Sequence, residues 1–90
     1  MTIEPIFRID FKEGKMGIFL AAVRDQSFQR AGLTPKEQDV ARLLLKGLST
    51  PEIAHTAGNS EKTIKYHISH IYGKAGVNSR AAFFYHVFPH

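Results

Sequence analysis

Residues 33–80 read LTPKEQDVARLLLKGLSTPEIAHTAGNSEKTIKYHISHIYGKAGVNSR, and the order of caps and apolar residues in this stretch decides the fold. Thr34 is a good helix N-cap, and Pro35 suits the first helical position. Glu37 completes a T-x-x-E capping box, in which the cap and the third helical residue exchange hydrogen bonds. Val40, Leu43 and Leu44 then form an inner stripe, and Gly47 stops the helix. Ser49 opens a second helix with Glu52 again three residues on, and Ile53 and Ala54 face inward. Gly58-Asn59 turns the chain, Ser60 caps a third helix, and Gly76 ends it. Ser79 caps a fourth, from Arg80 to about Phe88, where the run AAFFYHVF is apolar nearly all round.

The third helix carries the chemistry. On a wheel at about 100° per residue, Ile64, Ile68, Ile71 and Ala75 fall in one narrow sector that must face a core. Lys62, Lys65, Tyr66, Ser69 and Gly73 lie opposite. No acidic residue follows Glu61, whereas Lys62, Lys65, Lys74 and Arg80 do, so this half of the chain is basic. Two short helices, 49–57 and 60–75, joined by a tight glycine turn form a helix-turn-helix, whose second helix enters the DNA major groove. The residue types suit that use. Lysine donates to guanine O6 and N7, serine donates or accepts, and a tyrosine ring contacts a thymine methyl or a sugar. Free N–H groups at the start of this helix, with Thr63, favour a phosphate. By periodicity alone, a merely solvated basic face is the competing reading, since many amphipathic helices are basic on their wet side.

The wording of these helices resembles the LuxR/GerE-type (NarL/FixJ-type) DNA-binding domain of bacterial transcription regulators. The resemblance rests on Leu33-Thr34-Pro35-x-Glu37, Val40, Leu44, Gly47-Leu48-Ser49, Glu52-Ile53-Ala54, Ser60-x-x-Thr63-Ile64-Lys65-x-His67, Ile71, Lys74, Gly76-Val77 and Ser79-Arg80. It runs without a gap over about half the chain and is specific as a constellation. It implies a mainly α four-helix bundle over residues 33–90, with the third helix reading the major groove and the fourth supplying a dimer contact. Carried over residue by residue, Lys65, Tyr66 and Ser69 match base-facing positions. Lys62, Thr63, His70, Lys74 and Arg80 match positions near the DNA backbone. The sequence also departs from the family. Ala57, Asn59 and Ala75 stand where larger aliphatics are usual, and losing such a side chain from a core costs on the order of 2–5 kcal/mol if nothing refills the space. Gly73, mid-helix, adds roughly 1 kcal/mol against alanine. The aromatics Phe7, Phe11 and Phe19 in front, and Phe83, Phe84 and Phe88 behind, are the expected compensation, as core filling or as a dimer interface.

Residues 1–32 follow another pattern. Phe7, Ile9 and Phe11 alternate with Arg8, Asp10 and Lys12, the period of a half-buried strand. Folding back at Glu13-Gly14 pairs Phe11 with Met16, Ile9 with Ile18 and Phe7 with Leu20 in an apolar-faced β-hairpin. The alternative is one strand followed by a helix from about Gly17 to Ala31. Either version needs a partner surface, because two isolated strands are marginal in water. This N-terminal extension is therefore also a possible dimerisation element.

The totals set limits around this reading. Ninety residues make one small domain with a thin core, and 43% apolar with 22% charged is ordinary for a soluble fold. A net charge of +4 and a pI near 9.6 favour a polyanionic partner. The absence of cysteine excludes disulfides, Cys-ligated zinc and thiol nucleophiles. The longest apolar run after the start, Ile18–Val23, is far too short to span a bilayer, and no secretory signal is present, so a cytoplasmic protein without a membrane partner is expected. His67 with His70, and His86 with His90, have metal-compatible spacings but no third ligand nearby, so neither metal nor cofactor is expected. Ser49, Ser60 and Ser69 lack a nucleophile elbow and two of them are caps, so no enzyme is expected. The leading expectation is a stand-alone, sequence-specific transcription regulator binding double-stranded DNA as a homodimer. Because 32 residues cannot form the receiver or ligand-binding domain usual in the family, control by abundance, dimerisation or another regulator is expected. The runner-up is a protein-interaction module that pairs with a larger regulator and modulates it with little DNA binding of its own, motivated by the eroded core positions and apolar termini.

Overall fold

A computed structural model of the protein describes residues 16–89. Five helices follow one another there: α1 (Met16–Ala31), α2 (Pro35–Leu45), α3 (Thr50–Ala57), α4 (Glu61–Ala75) and α5 (Arg80–Val87). Among the described residues there is no strand. The last four begin where the sequence places them because the caps form. Thr34 and Ser49 both make reciprocal capping boxes, with Glu37 returning to the Thr34 N–H at 2.9 Å and Glu52 to the Ser49 N–H at 2.7 Å. Ser60 and Ser79 cap α4 and α5 by accepting from the N–H groups of Thr63 and Ala82. The α3–α4 turn depends on Gly58, whose φ of 68° is open to glycine at little cost, and the Asn59 N–H then donates back to the Ala54 carbonyl at 3.0 Å. Gly76 closes α4 in the same way, at φ 72°, with the Val77 N–H donating to the Tyr72 carbonyl at 2.9 Å.

The core is thin and built mainly from one face of each helix. Val40, Ala41 and Leu44 of α2, Ile53 and Ala54 of α3, Ile64 and Ile71 of α4, and Phe83 and Val87 of α5 are buried together. α4 packs on both α2 and α3, while α1 packs on α5. From α1 comes Phe28, 1% exposed, whose ring lies parallel to Phe83 at 6.3 Å between centroids. The Tyr72 ring meets Phe83 at 5.9 Å, and the Arg42 guanidinium sits 6.0 Å from the Phe28 centroid.

Two expectations change here. The hairpin's return arm, Met16 to Leu20, is helical rather than extended, so the pairings of Phe11 with Met16, Ile9 with Ile18 and Phe7 with Leu20 do not describe it. The helix of the alternative reading is found, ending at Ala31, while any strand before it lies outside the described residues. A 16-residue helix closes its backbone bonds internally and anchors its last turns through Phe28, whereas a lone hairpin has no such anchor. The aromatics expected to compensate are found in part, with one more added. Phe83 is buried and Phe88 packs at the edge of the core, but Phe84 is 42% exposed, and the second main filler is Phe28. Phe19 is half-buried, and Phe7 and Phe11 lie outside the described residues. Ala57 and Ala75 sit half-buried against the core, and Asn59, also half-buried, carries a buried Oδ1 without a protein partner.

Candidate nucleic-acid interface

Ile64 and Ile71 have no exposure and Ile68 is half-buried, which fixes the rotation of α4 about its axis. The opposite face is thereby turned out. Lys62, Lys65, Tyr66, Ser69, His70 and Gly73 are all exposed, as the helical wheel requires. They form two adjacent rows at i, i+4 spacing, Lys62–Tyr66–His70 and Lys65–Ser69–Gly73. This strip is basic and hydrogen-bonding, with one large aromatic near its middle, Tyr66, 59% exposed. The Tyr66 ring contacts His70 at 4.4 Å between centroids and His67 at 6.0 Å. Thr63 is half-buried, and its Oγ1 accepts from the Ser60 hydroxyl at 3.0 Å while its own N–H donates to the same hydroxyl. The Glu61 and Lys62 N–H groups precede the first i→i−4 bond of α4, from Ile64 to Ser60, and by helix geometry project beyond its N-terminal end.

Lys74 and Arg80 are placed differently from the rest. The Lys74 ammonium donates to Glu37 Oε1 at 2.7 Å and to the Gly32 carbonyl at 3.2 Å. Arg80 is half-buried, donates to the Leu44 carbonyl at 3.4 Å and lies against the Tyr72 hydroxyl. So five of the candidates, Lys62, Lys65, Tyr66, Ser69 and His70, come together on one exposed strip, Thr63 sits at its leading edge, and Lys74 and Arg80 have internal partners.

The Glu37–Lys74 pair escaped the sequence reading. Glu37 was legible as a capping-box residue, but its ion-pair partner lies 37 residues away, across the contact of α2 with α4. Burial alone raises the pKa of the Glu37 carboxyl. The hydrogen bonds from Lys74 and from the Thr34 N–H, with the Lys74 charge, outweigh it and hold the pKa below 4.5. For Tyr72, burial dominates and the phenol is raised above 10.0 despite the nearby Arg80. Among the described residues no group of three His, Asp or Glu side chains is arranged to hold a metal ion. No described helix is long and apolar enough to cross a membrane.

The comparisons agree with this architecture. Residues 31–87 match the family of bacterial regulatory proteins, luxR family, a span from the end of α1 through α5. The chain belongs to that family. It is 47% identical over 49 residues to the probable HTH-type transcriptional regulator GfsR of Streptomyces halstedii, covering 54% of this chain and 20% of that protein. It is 48% identical over 52 residues to a putative HTH-type transcriptional regulator in the exeN 3' region of Aeromonas salmonicida, covering 58% and 26%. A longer match, 35% identical over 75 residues, is to the response regulator protein VraR of Staphylococcus saprophyticus, covering 79% and 36%. The chain thus spans only a fifth to a third or so of the length of these relatives. No solved structure matches it.

Proposed function

We propose that this chain is a DNA-binding transcription regulator that inserts α4 into the major groove and reads sequence there, acting as a dimer. The observation that carries the proposal is the exposed strip of Lys62, Lys65, Tyr66, Ser69 and His70, held at a fixed rotation by buried Ile64 and Ile71. In this reading Lys65, Tyr66 and Ser69 face bases, and Lys62 and Thr63 face the DNA backbone, with His70 beside the groove. Lys74 has three donors and uses two internally, which leaves one for a phosphate. Arg80 holds the start of α5 and contributes positive charge near the backbone. The DNA-binding unit runs over residues 33–90, with residues 1–32 as an extension that contributes to dimerisation. Phe28 seats the last turns of that extension in the shared core. Exposed Phe84 on α5 supports self-association.

Titration of labelled duplexes at two salt concentrations tests the reading. A dimer with six or more phosphate contacts loses about 10³-fold in affinity between 50 and 200 mM salt, and a selected duplex is bound more tightly than a scrambled one. Equal affinity for all duplexes, or none, overturns it. In that event the second reading stands, a module that pairs with a larger regulator. Exposed Ile18 and Leu20 on α1 are the observation in its favour.

A further inference from the structure

On the functional reading above rests a more specific assignment: we propose that His70 positions Tyr66, holding its ring in one orientation for base recognition. Tyr66 is the largest side chain on the exposed strip, and at 59% exposure the core does not fix it. In a helix a long side chain leans back toward the N-terminus, over the turn that precedes its own Cα. His70 therefore lies over Tyr66, and the two rings meet with centroids 4.4 Å apart and planes inclined at 43°. His67, half-buried, approaches the same ring edge-on at 6.0 Å and 62°. Tyr66 is thus flanked on its C-terminal side by one exposed and one half-buried imidazole. Ordering a free aromatic ring only when DNA arrives would weaken binding, and most for the duplex whose bases demand that orientation. A ring ordered in advance keeps the discrimination.

This role differs in a measurable way from the phosphate contact that the family resemblance implies for His70. A phosphate contact acts on every duplex alike, and where it is cationic it also steepens the salt dependence. A positioning contact acts through Tyr66, so it is sequence-dependent, salt-independent and lost when Tyr66 is removed. An aromatic pair of this kind corresponds to roughly a 2- to 10-fold change in discrimination.

The experiment uses the full chain and a duplex selected from a random-sequence pool by the unsubstituted protein. Affinities for that duplex and a scrambled one are measured for the parent, His70→Ala, His70→Phe, Tyr66→Ala and the His70→Ala/Tyr66→Ala pair. The expected result is a roughly 2- to 10-fold lower selected-to-scrambled ratio in His70→Ala. That loss is absent in the Tyr66→Ala background, is rescued by His70→Phe, and leaves the salt slope unchanged. In the free protein, three-bond couplings at Tyr66 report one χ1 well in the parent and averaging in His70→Ala. A loss equal for both duplexes makes His70 a phosphate ligand and overturns the assignment. Unchanged discrimination, or unchanged couplings, overturns it as well. If the parent itself discriminates between no duplexes, the functional reading fails and this assignment goes with it. If the parent discriminates and His70→Ala does so equally, only the assignment fails.

Discussion

Replacing Glu37 by glutamine isolates one charge in the tie between α2 and α4. The carboxylate is 7% exposed and accepts from Lys74 at 2.7 Å and from the Thr34 N–H at 2.9 Å. Glutamine keeps the shape and one acceptor but loses the charge. Breaking a fully buried pair costs about 3–5 kcal/mol, and an exposed one about 0–1 kcal/mol. The Lys74 side chain is 34% exposed, so water recovers part of its lost partner and the expected cost lies between these limits, at about 2 kcal/mol. For a domain of this size that is roughly 8–16 °C in Tm. The pH dependence follows from the direction of the shift. Because the folded pKa of Glu37 is lowered, its contribution is fully present above the unfolded value of 4.5 and is lost as pH falls through the folded value. Urea denaturation followed by circular dichroism should therefore show a stability gap between parent and Glu37→Gln at pH 7 that closes toward pH 3. A gap of the same size at both pH values would mean that packing or cap geometry, not charge, carries the effect. A double-mutant cycle with Lys74→Met should give a coupling of about 1 kcal/mol or more, and strictly additive losses would refute the pair.

Other substitutions test the rest of the structure. Phe28→Ala empties the space against Phe83 and should cost about 3–5 kcal/mol by urea denaturation; a loss under 1 kcal/mol would remove α1 from the core. Gly73→Ala should stabilise the fold by about 1 kcal/mol, because a Cβ there meets nothing within 4 Å and glycine is the poorer helix former. Lys65→Ala should relax preference at one base position by about 1–3 kcal/mol, read by competition among single-base variants of the selected duplex. Lys62→Ala removes one contact from each half of the dimer, so it should instead weaken all duplexes alike and make the salt slope shallower by about 1.8, and a base-specific loss there would reassign it.

What the sequence decided alone was local. Thr34, Ser49, Ser60 and Ser79 bond to N–H groups three residues ahead, and Gly58 and Gly76 adopt the left-handed turns that end α3 and α4. Such bonds close within one helical turn, so position and type of residue suffice to place them. The exposed face of α4 was equally legible, since a 3.6-residue period fixes which side chains oppose Ile64 and Ile71. Residues 16–31 were less so. Their apolar side chains Ile18, Phe19, Leu20, Ala21, Ala22 and Val23 form a continuous run that marks no single face, and a short apolar run reads as strand or helix alike. The docking of Phe28 onto Phe83 seats that helix. Tertiary structure also set the fate of the two cations farthest along the chain. Lys74 meets Glu37 and Gly32, and Arg80 meets Leu44, because α2 crosses α4 and α5, and no spacing along the sequence encodes a contact that exists only once the helices have packed.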